Sequence, residues 1–199
     1  ANDPNGQTEK QIAMFRQTYE QMGQPSMLRH VLNSDGLLAR SVAQKDCSWL
    51  GARPGLALYG LRDVPTLKPV MSLISRLDLV RRVPKGETIS YSGRWTASKN
   101  SWIGVVPIGY GDGYTRAFSN KTQMLFRGMR VPVVGTVCMD YSLLDLTDVC
   151  ESGEPKAGED ITVFGEQGTS KLSVLELTDM AGTIPYELVT GLSARVPRE

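Results

Sequence analysis

Histidine is almost missing from this chain of 199 residues: His30 is the single one. Any nucleophilic centre of the Ser-His-Asp or Cys-His type would have to be built around it. Cysteine is scarce too. Cys47, Cys138 and Cys150 are odd in number and show no C-x-x-C spacing, which argues against a disulfide framework and a zinc site, leaving no metal expected and a reducing cytosol as the default setting. Aromatics make up only 7%, and neither charge is in excess, with 22 basic against 21 acidic side chains. That balance offers no electrostatic footprint for nucleic acid or an anionic membrane. No apolar run approaches the ~18 residues of a membrane span, and no basic start followed by an apolar stretch marks a secretory signal. A cytoplasmic protein acting on small molecules or on protein partners is the expectation. The chain opens Ala1-Asn2-Asp3-Pro4 rather than with methionine, so a processed, cloned or excised piece is expected.

What is present divides in two. Thr8-x-x-Gln11 has the form of a capping box, and Ile12, Phe15, Tyr19 and Met22 follow at helical spacing up to Gly23. A short strand is expected over 27–32, a polar turn or helix cap at Asn33-Ser34-Asp35, a helix from Gly36, and a turn entering a buried strand over 53–60. That alternation is α/β grammar with parallel strands, yet two strands cannot close a sheet or a barrel. From about Val64 the texture changes. Pro65 and Pro69 mark a linker, and Met71, Leu73, Leu77, Leu79 and Val83 then alternate with polar residues as one half-buried strand. Further strands are expected at 102–108, 123–126, 131–137, 142–146 and 161–164, the second and third joined at Arg127-Gly128, with helices at 172–181 and 186–192 and an extended tail. We therefore expect an α/β part over 1–65 and a mostly-β domain with short helices over 66–199.

In parallel sheets ligands bind at the carboxyl ends of strands, where Asn33 and Ser34 would sit. Backbone N–H groups at the following helix start, the Ser34 hydroxyl and the close approach that Gly55 permits would suit a phosphate. A helix cap and a turn glycine account for the same residues. His30 alternates with apolar neighbours as a structural histidine would, and Arg53 is its plausible hydrogen-bond partner. In the β part, Ile89-Ser90-Tyr91-Ser92-Gly93, the Gly109 to Tyr114 run and Val137-Cys138-Met139-Asp140 place polar or reactive groups beside strand ends. Gly109-x-Gly111-x-Gly113 has the wrong spacing for a dinucleotide loop and reads as a tight turn.

Taken in order, HVLNSDG from His30, GARPGLALYG ending at Gly60, KGETISYSG ending at Gly93, WIGVVPIGYGDGYTRAFSNK from Trp102, GMRVPVVGTVCMD ending at Asp140 and GTIPYELVTGLSARVPR near the end closely resemble alanine racemases. These are fold-type III enzymes using pyridoxal 5'-phosphate to interconvert L- and D-alanine. The resemblance implies that residues 1–65 are the last strands and helices of a cofactor-holding (β/α)8 barrel, an α/β remnant followed by the family's mostly-β C-terminal domain. It also implies a head-to-tail homodimer with shared active sites, and a role in making D-alanine for cell-wall precursors.

The same resemblance assigns roles. Arg53 is similar to the arginine that hydrogen-bonds the pyridine nitrogen, and His30 to the histidine that orients it. Ser34, Gly55, Leu56 and Tyr186 correspond to the phosphate ligands, with Asn33 as a supporting neighbour. Tyr91 matches the catalytic tyrosine that acts from the neighbouring subunit on one face of the substrate. Racemisation needs a proton carrier on each face of the α-carbon. A free tyrosine, with a pKa near ~10, is a poor base at neutral pH and needs help from its surroundings. Tyr110 matches the tyrosine at the narrow substrate entrance and the Met139 amide a receptor for the substrate carboxylate, with Cys138 expected in the same pocket. The family's cofactor-binding lysine, which lies in an early V-K-A-N-A-Y-G-H-G segment, has no counterpart among these residues. The resemblance thus implies a C-terminal portion that is inactive alone and associates with itself or with a complementary N-terminal fragment. A serine or broad-specificity racemase is the alternative within this chemistry, and a non-catalytic β interaction module the alternative outside it.

Overall fold

The structure, a computed structural model, describes residues 5–23, 26–42 and 50–199, so Cys47 lies outside the described residues. The chain forms two compact units, residues 1–68 and 69–199.

In the first unit, helix α1 (Gln7–Met22) buries Ile12 and ends at Gly23. Its N-cap is Gly6 rather than the expected Thr8: at φ 61 the glycine reverses the chain without a Cβ penalty, and the helix starts one residue ahead of Thr8. Strand β1 (His30–Leu32), helix α2 (Ser34–Val42) and strand β2 (Gly51–Ala52) follow, with β2 parallel to β1. The strand expected over 53–60 does not form. Pro54 has no N–H to continue a ladder, and the chain instead turns on itself, Leu58 N–H donating to Gly55 O at 3.0 Å and Leu61 N–H to Leu56 O at 2.9 Å. The apolar run there serves to bury Leu56 and Leu61 in that turn.

The second unit is mostly β. Its strands are β3 (Leu73–Arg76), β4 (Leu79–Val83), β5 (Thr88–Ile89), β6 (Trp95–Thr96), β7 (Ser101–Val106), β8 (Gln123–Phe126), β9 (Met129–Val134), β10 (Ser142–Asp145), β11 (Asp160–Gln167) and β12 (Ser170–Leu172), followed by helices α3 (Val174–Ala181) and α4 (Pro185–Gly191). An antiparallel sheet runs β12-β11-β8-β9-β10-β7-β4, with β3 also on β11, while β5 and β6 form a separate hairpin. The single strand expected over 71–83 is thus two. At the break Leu77 N–H donates to Glu159 O and Asp78 N–H to Val105 O, so the chain passes from β11 to β7. Between β8 and β9, Arg127 (φ 51) and Gly128 (φ 75) both take the left-handed conformation, the turn whose twist matches flanking strands. Tyr114, Phe118, Met124, Leu125, Leu144, Ile161 and Leu177 are fully buried at the core. No described helix is long and apolar enough to cross a membrane.

The Arg127 side chain closes this turn on the 153–159 segment, its Nε and Nη2 donating to Glu159 at 2.8 Å and its Nη1 to Gly153 O at 2.8 Å. The Arg127 hydrogen bond outweighs partial burial and holds the Glu159 carboxyl below its ordinary 4.5. A depressed carboxyl stabilises the fold above its unfolded value and loses that contribution as pH falls through the folded one. Glu159→Gln should therefore be less stable than the wild type at pH 7 in urea denaturation, and the gap should shrink below pH 4.5.

Candidate active site

In the first unit, one strand end gathers six of the residues singled out from the sequence. Asn33 caps α2, its Oδ1 accepting from Gly36 N–H at 2.9 Å. Ser34 is buried, and its Oγ accepts from Gly55 N–H at 2.9 Å and Ala57 N–H at 3.2 Å. A hydroxyl that accepts twice still has one proton to donate. Leu56 N–H, together with Ser34 N–H and Asp35 N–H at the helix start, has no acceptor among the described residues. Arg62 Nη2 donates to Asp35 Oδ2 at 2.8 Å and ties α2 to the 55–61 turn. These open donors converge on the chemistry of a phosphate group. Ser34→Ala leaves the Gly55 and Ala57 amides without their acceptor, so a stability loss of about 1–3 kcal/mol is expected in urea denaturation.

Arg53 follows β2, and its backbone N–H donates to Leu32 O at 2.7 Å. Its Nη1 donates to both Nδ1 and the carbonyl of His30. A guanidinium only donates, so His30 presents the lone pair of Nδ1 to it. His30 orients the arginine and leaves the remaining guanidinium donors for another acceptor.

In the second unit, a cavity of about 460 Å³ is lined by Tyr91, Tyr110, Arg116, Thr136, Val137, Cys138 and Met139. Three connections build it. Tyr91 opens a single 3-10 turn between β5 and β6, flanked by Ser90 (φ 70) and Ser92 (φ 60) in the left-handed region. Such strain persists only where surroundings enforce it. Here Thr136 N–H donates to Ser90 Oγ at 2.8 Å and Ser90 Oγ donates back to Thr136 O at 3.3 Å. Tyr91 is 69% exposed as a residue and lines the cavity. The turn carrying Tyr110 meets the loop carrying Met139 through Tyr110 N–H to Cys138 O at 3.0 Å and Gly111 N–H to Met139 O at 2.8 Å. That approach requires Gly109, where a Cβ would lie 2.2 Å from Cys138 O.

The cavity is polar in a defined way. Met139 N–H has no acceptor among the described residues. Arg76, Arg82, Arg127, Arg130 and Arg195 each meet a carboxylate, whereas Arg116 meets none among the described residues. The Cys138 thiol donates to Thr136 O at 3.4 Å. Burial pushes its pKa up and Arg116 pulls less strongly the other way, so it stays a neutral lining group. Arg116 and Thr136 are the lining residues that sequence reasoning missed, although both stand inside quoted motifs. Tyr186, the second residue of α4, does not line this cavity.

Comparison with known proteins decides the family: residues 70–199 match the model for "Alanine racemase, C-terminal domain". The chain belongs to the alanine racemase family. It is 39% identical over 190 residues to the alanine racemase of Thermodesulfovibrio yellowstonii, covering 96% of this chain and 50% of that one. The alanine racemase of Bacillus anthracis, solved with bound L-Ala-P, is 30% identical with a TM-score of 0.81 over 96% of this chain and 50% of its own. The Bartonella henselae alanine racemase, solved with covalently bound pyridoxal phosphate, reaches a TM-score of 0.82 at 27% identity over 100% of this chain and 52% of its own. The chain thus spans about half the length of the alanine racemases it matches.

Proposed function

We propose that these residues supply one part of a racemase that uses pyridoxal 5'-phosphate to interconvert L- and D-alanine. The observation that carries this is Tyr91, held by a strained and tethered turn beside a cavity that also offers Met139 N–H and the Arg116 guanidinium, which meets no carboxylate among the described residues. A proton carrier beside receptors for a carboxylate is what an α-amino acid requires.

The first unit fits the cofactor. The remaining Ser34 proton and the open amides of Leu56, Ser34 and Asp35 would hold its phosphate, with Gly55 and Asn33 shaping the cradle; the role of Tyr186, a residue of the second unit, as a further phosphate ligand rests on the motif resemblance alone. Arg53, steered by His30, would donate to the ring nitrogen. When bound, the cofactor withdraws electrons from the substrate α-carbon and so acidifies its C–H. An arginine keeps its own proton, so it leaves the ring a weaker electron sink than a carboxylic acid partner would. Tyr91 then delivers or removes the α-proton on one face, while a lysine outside these residues serves the other. Met139 N–H fixes the carboxylate, Arg116 adds positive charge beside it, and Tyr110 narrows the entrance. In our reading Tyr91 reaches across a homodimer interface in the cytoplasm, and a chain of these 199 residues alone, without the cofactor lysine, turns over no alanine.

Chiral chromatography tests this with the full-length protein that carries the segment, supplied with pyridoxal phosphate and L-alanine. D-Alanine should appear until the enantiomers are equal, since they have the same free energy in an achiral solvent. No D-alanine, or inversion of other amino acids only, would overturn the reading.

A further inference from the structure

We propose that Arg195 is a positioning residue: from the C-terminal tail it clamps the turn that carries Tyr110 to the loop that carries Met139. Its Nε donates to Asp112 Oδ1 at 3.0 Å and its Nη2 to Asp140 Oδ1 at 3.0 Å. Asp112 belongs to the Tyr110 turn, and its second oxygen accepts from Gly109 N–H at 2.9 Å. Asp140 directly follows Met139. One guanidinium thus joins carboxylates on two loops that would otherwise repel each other.

The tail is built to present it. Ser193 N–H donates to Asp112 O at 3.0 Å, and Arg198 Nη2 donates to Leu192 O at 3.0 Å. Arg195 Nη2 lies so close to the backbone of Gly111 that a Cβ there would stand 2.3 Å from it. Arg195 does not line the cavity. It acts through the two backbone hydrogen bonds it covers, Tyr110 N–H to Cys138 O and Gly111 N–H to Met139 O, and through them sets where Met139 N–H points. A planar fork reaches both carboxylates in one geometry, which the point charge of a lysine does not reproduce.

Hydrogen exchange on the full-length protein reads the clamp directly. In Arg195→Ala the amides of Tyr110 and Gly111 should exchange about tenfold faster, the loss of one charge-assisted hydrogen bond. Those of β7 and β10 should not change, and Arg195→Lys should restore protection only in part. If Arg195→Ala does not fold, Asp140→Asn removes one arm at an exposed position and should accelerate Gly111 alone. Unchanged exchange at both amides, or acceleration spread equally over β7 and β10, overturns the clamp. Its kinetic consequence rests on the racemase reading: KM for alanine should rise about tenfold with kcat nearly constant, as when a ground-state binding group is misplaced. Local acceleration in a full-length protein with no racemase activity would leave the clamp standing and defeat that reading alone.

Discussion

Tyr91→Phe in the full-length protein should lower alanine turnover by about 10²- to 10⁴-fold, the usual share of a positioned proton carrier. The loss should be equal in both directions. The equilibrium constant between enantiomers is one, so kcat/KM for L- and D-alanine must fall together whichever face the tyrosine serves. The fold should be untouched: the residue is 69% exposed, and the turn is held by Ser90 and Thr136 rather than by the phenol. Steady-state kinetics in each direction, with a thermal melt beside them, check both parts. Unchanged turnover with an unchanged melt would remove Tyr91 from the chemistry.

The largest loss of stability is expected at Tyr114. Its side chain is fully buried, its ring packs on Phe118 at a centroid distance of 4.7 Å, and its hydroxyl meets Thr122 Oγ1 at 2.8 Å. Tyr114→Ala opens a cavity in the core and should cost about 3–5 kcal/mol in urea denaturation. Tyr114→Phe should cost only about 1 kcal/mol, because the ring remains and Thr122 Oγ1 can still donate to Phe118 O at 3.3 Å. Burial pushes the phenol pKa upward from its ordinary 10.0, and the Thr122 hydrogen bond offsets this only in part. An acid with a raised folded value stabilises fully below its unfolded value and less as pH climbs past it. The advantage of wild type over Tyr114→Phe should therefore shrink above pH 10.

β-Propensity carried much of the fold. Apolar and β-branched runs within 102–108, 123–126, 142–146 and 161–164 mark the strands, and Arg127-Gly128 is visible as a turn because glycine tolerates φ above zero. What escaped was decided by partners rather than by local pattern. Met71, Leu73, Leu77, Leu79 and Val83 keep one parity across both strands, so the change from β11 to β7 at Leu77 leaves no trace in them. In 53–60 the apolar run suggests a strand, but Pro54 and the burial of Leu56 turn it into a compact turn. Arg116 and Thr136 escaped for a similar reason. Loop residues have no period, and their meeting depends on the closure of the 109–111 turn onto Cys138 and Met139. The roles proposed for Ser34, Arg53 and Tyr91 came from ordered motif resemblance, since composition alone reached only a possible phosphate site.

The most direct test of the central claim, that Tyr91 serves one face of the α-carbon, is deuterium incorporation from D2O by full-length Tyr91→Phe given L- and D-alanine separately, read by mass spectrometry after chiral separation. Inversion should be nearly lost while one enantiomer alone still exchanges its α-hydrogen with retained configuration, because the proton carrier on the opposite face is intact. Exchange and inversion of both enantiomers at the wild-type rate would contradict it and place both proton transfers on other residues.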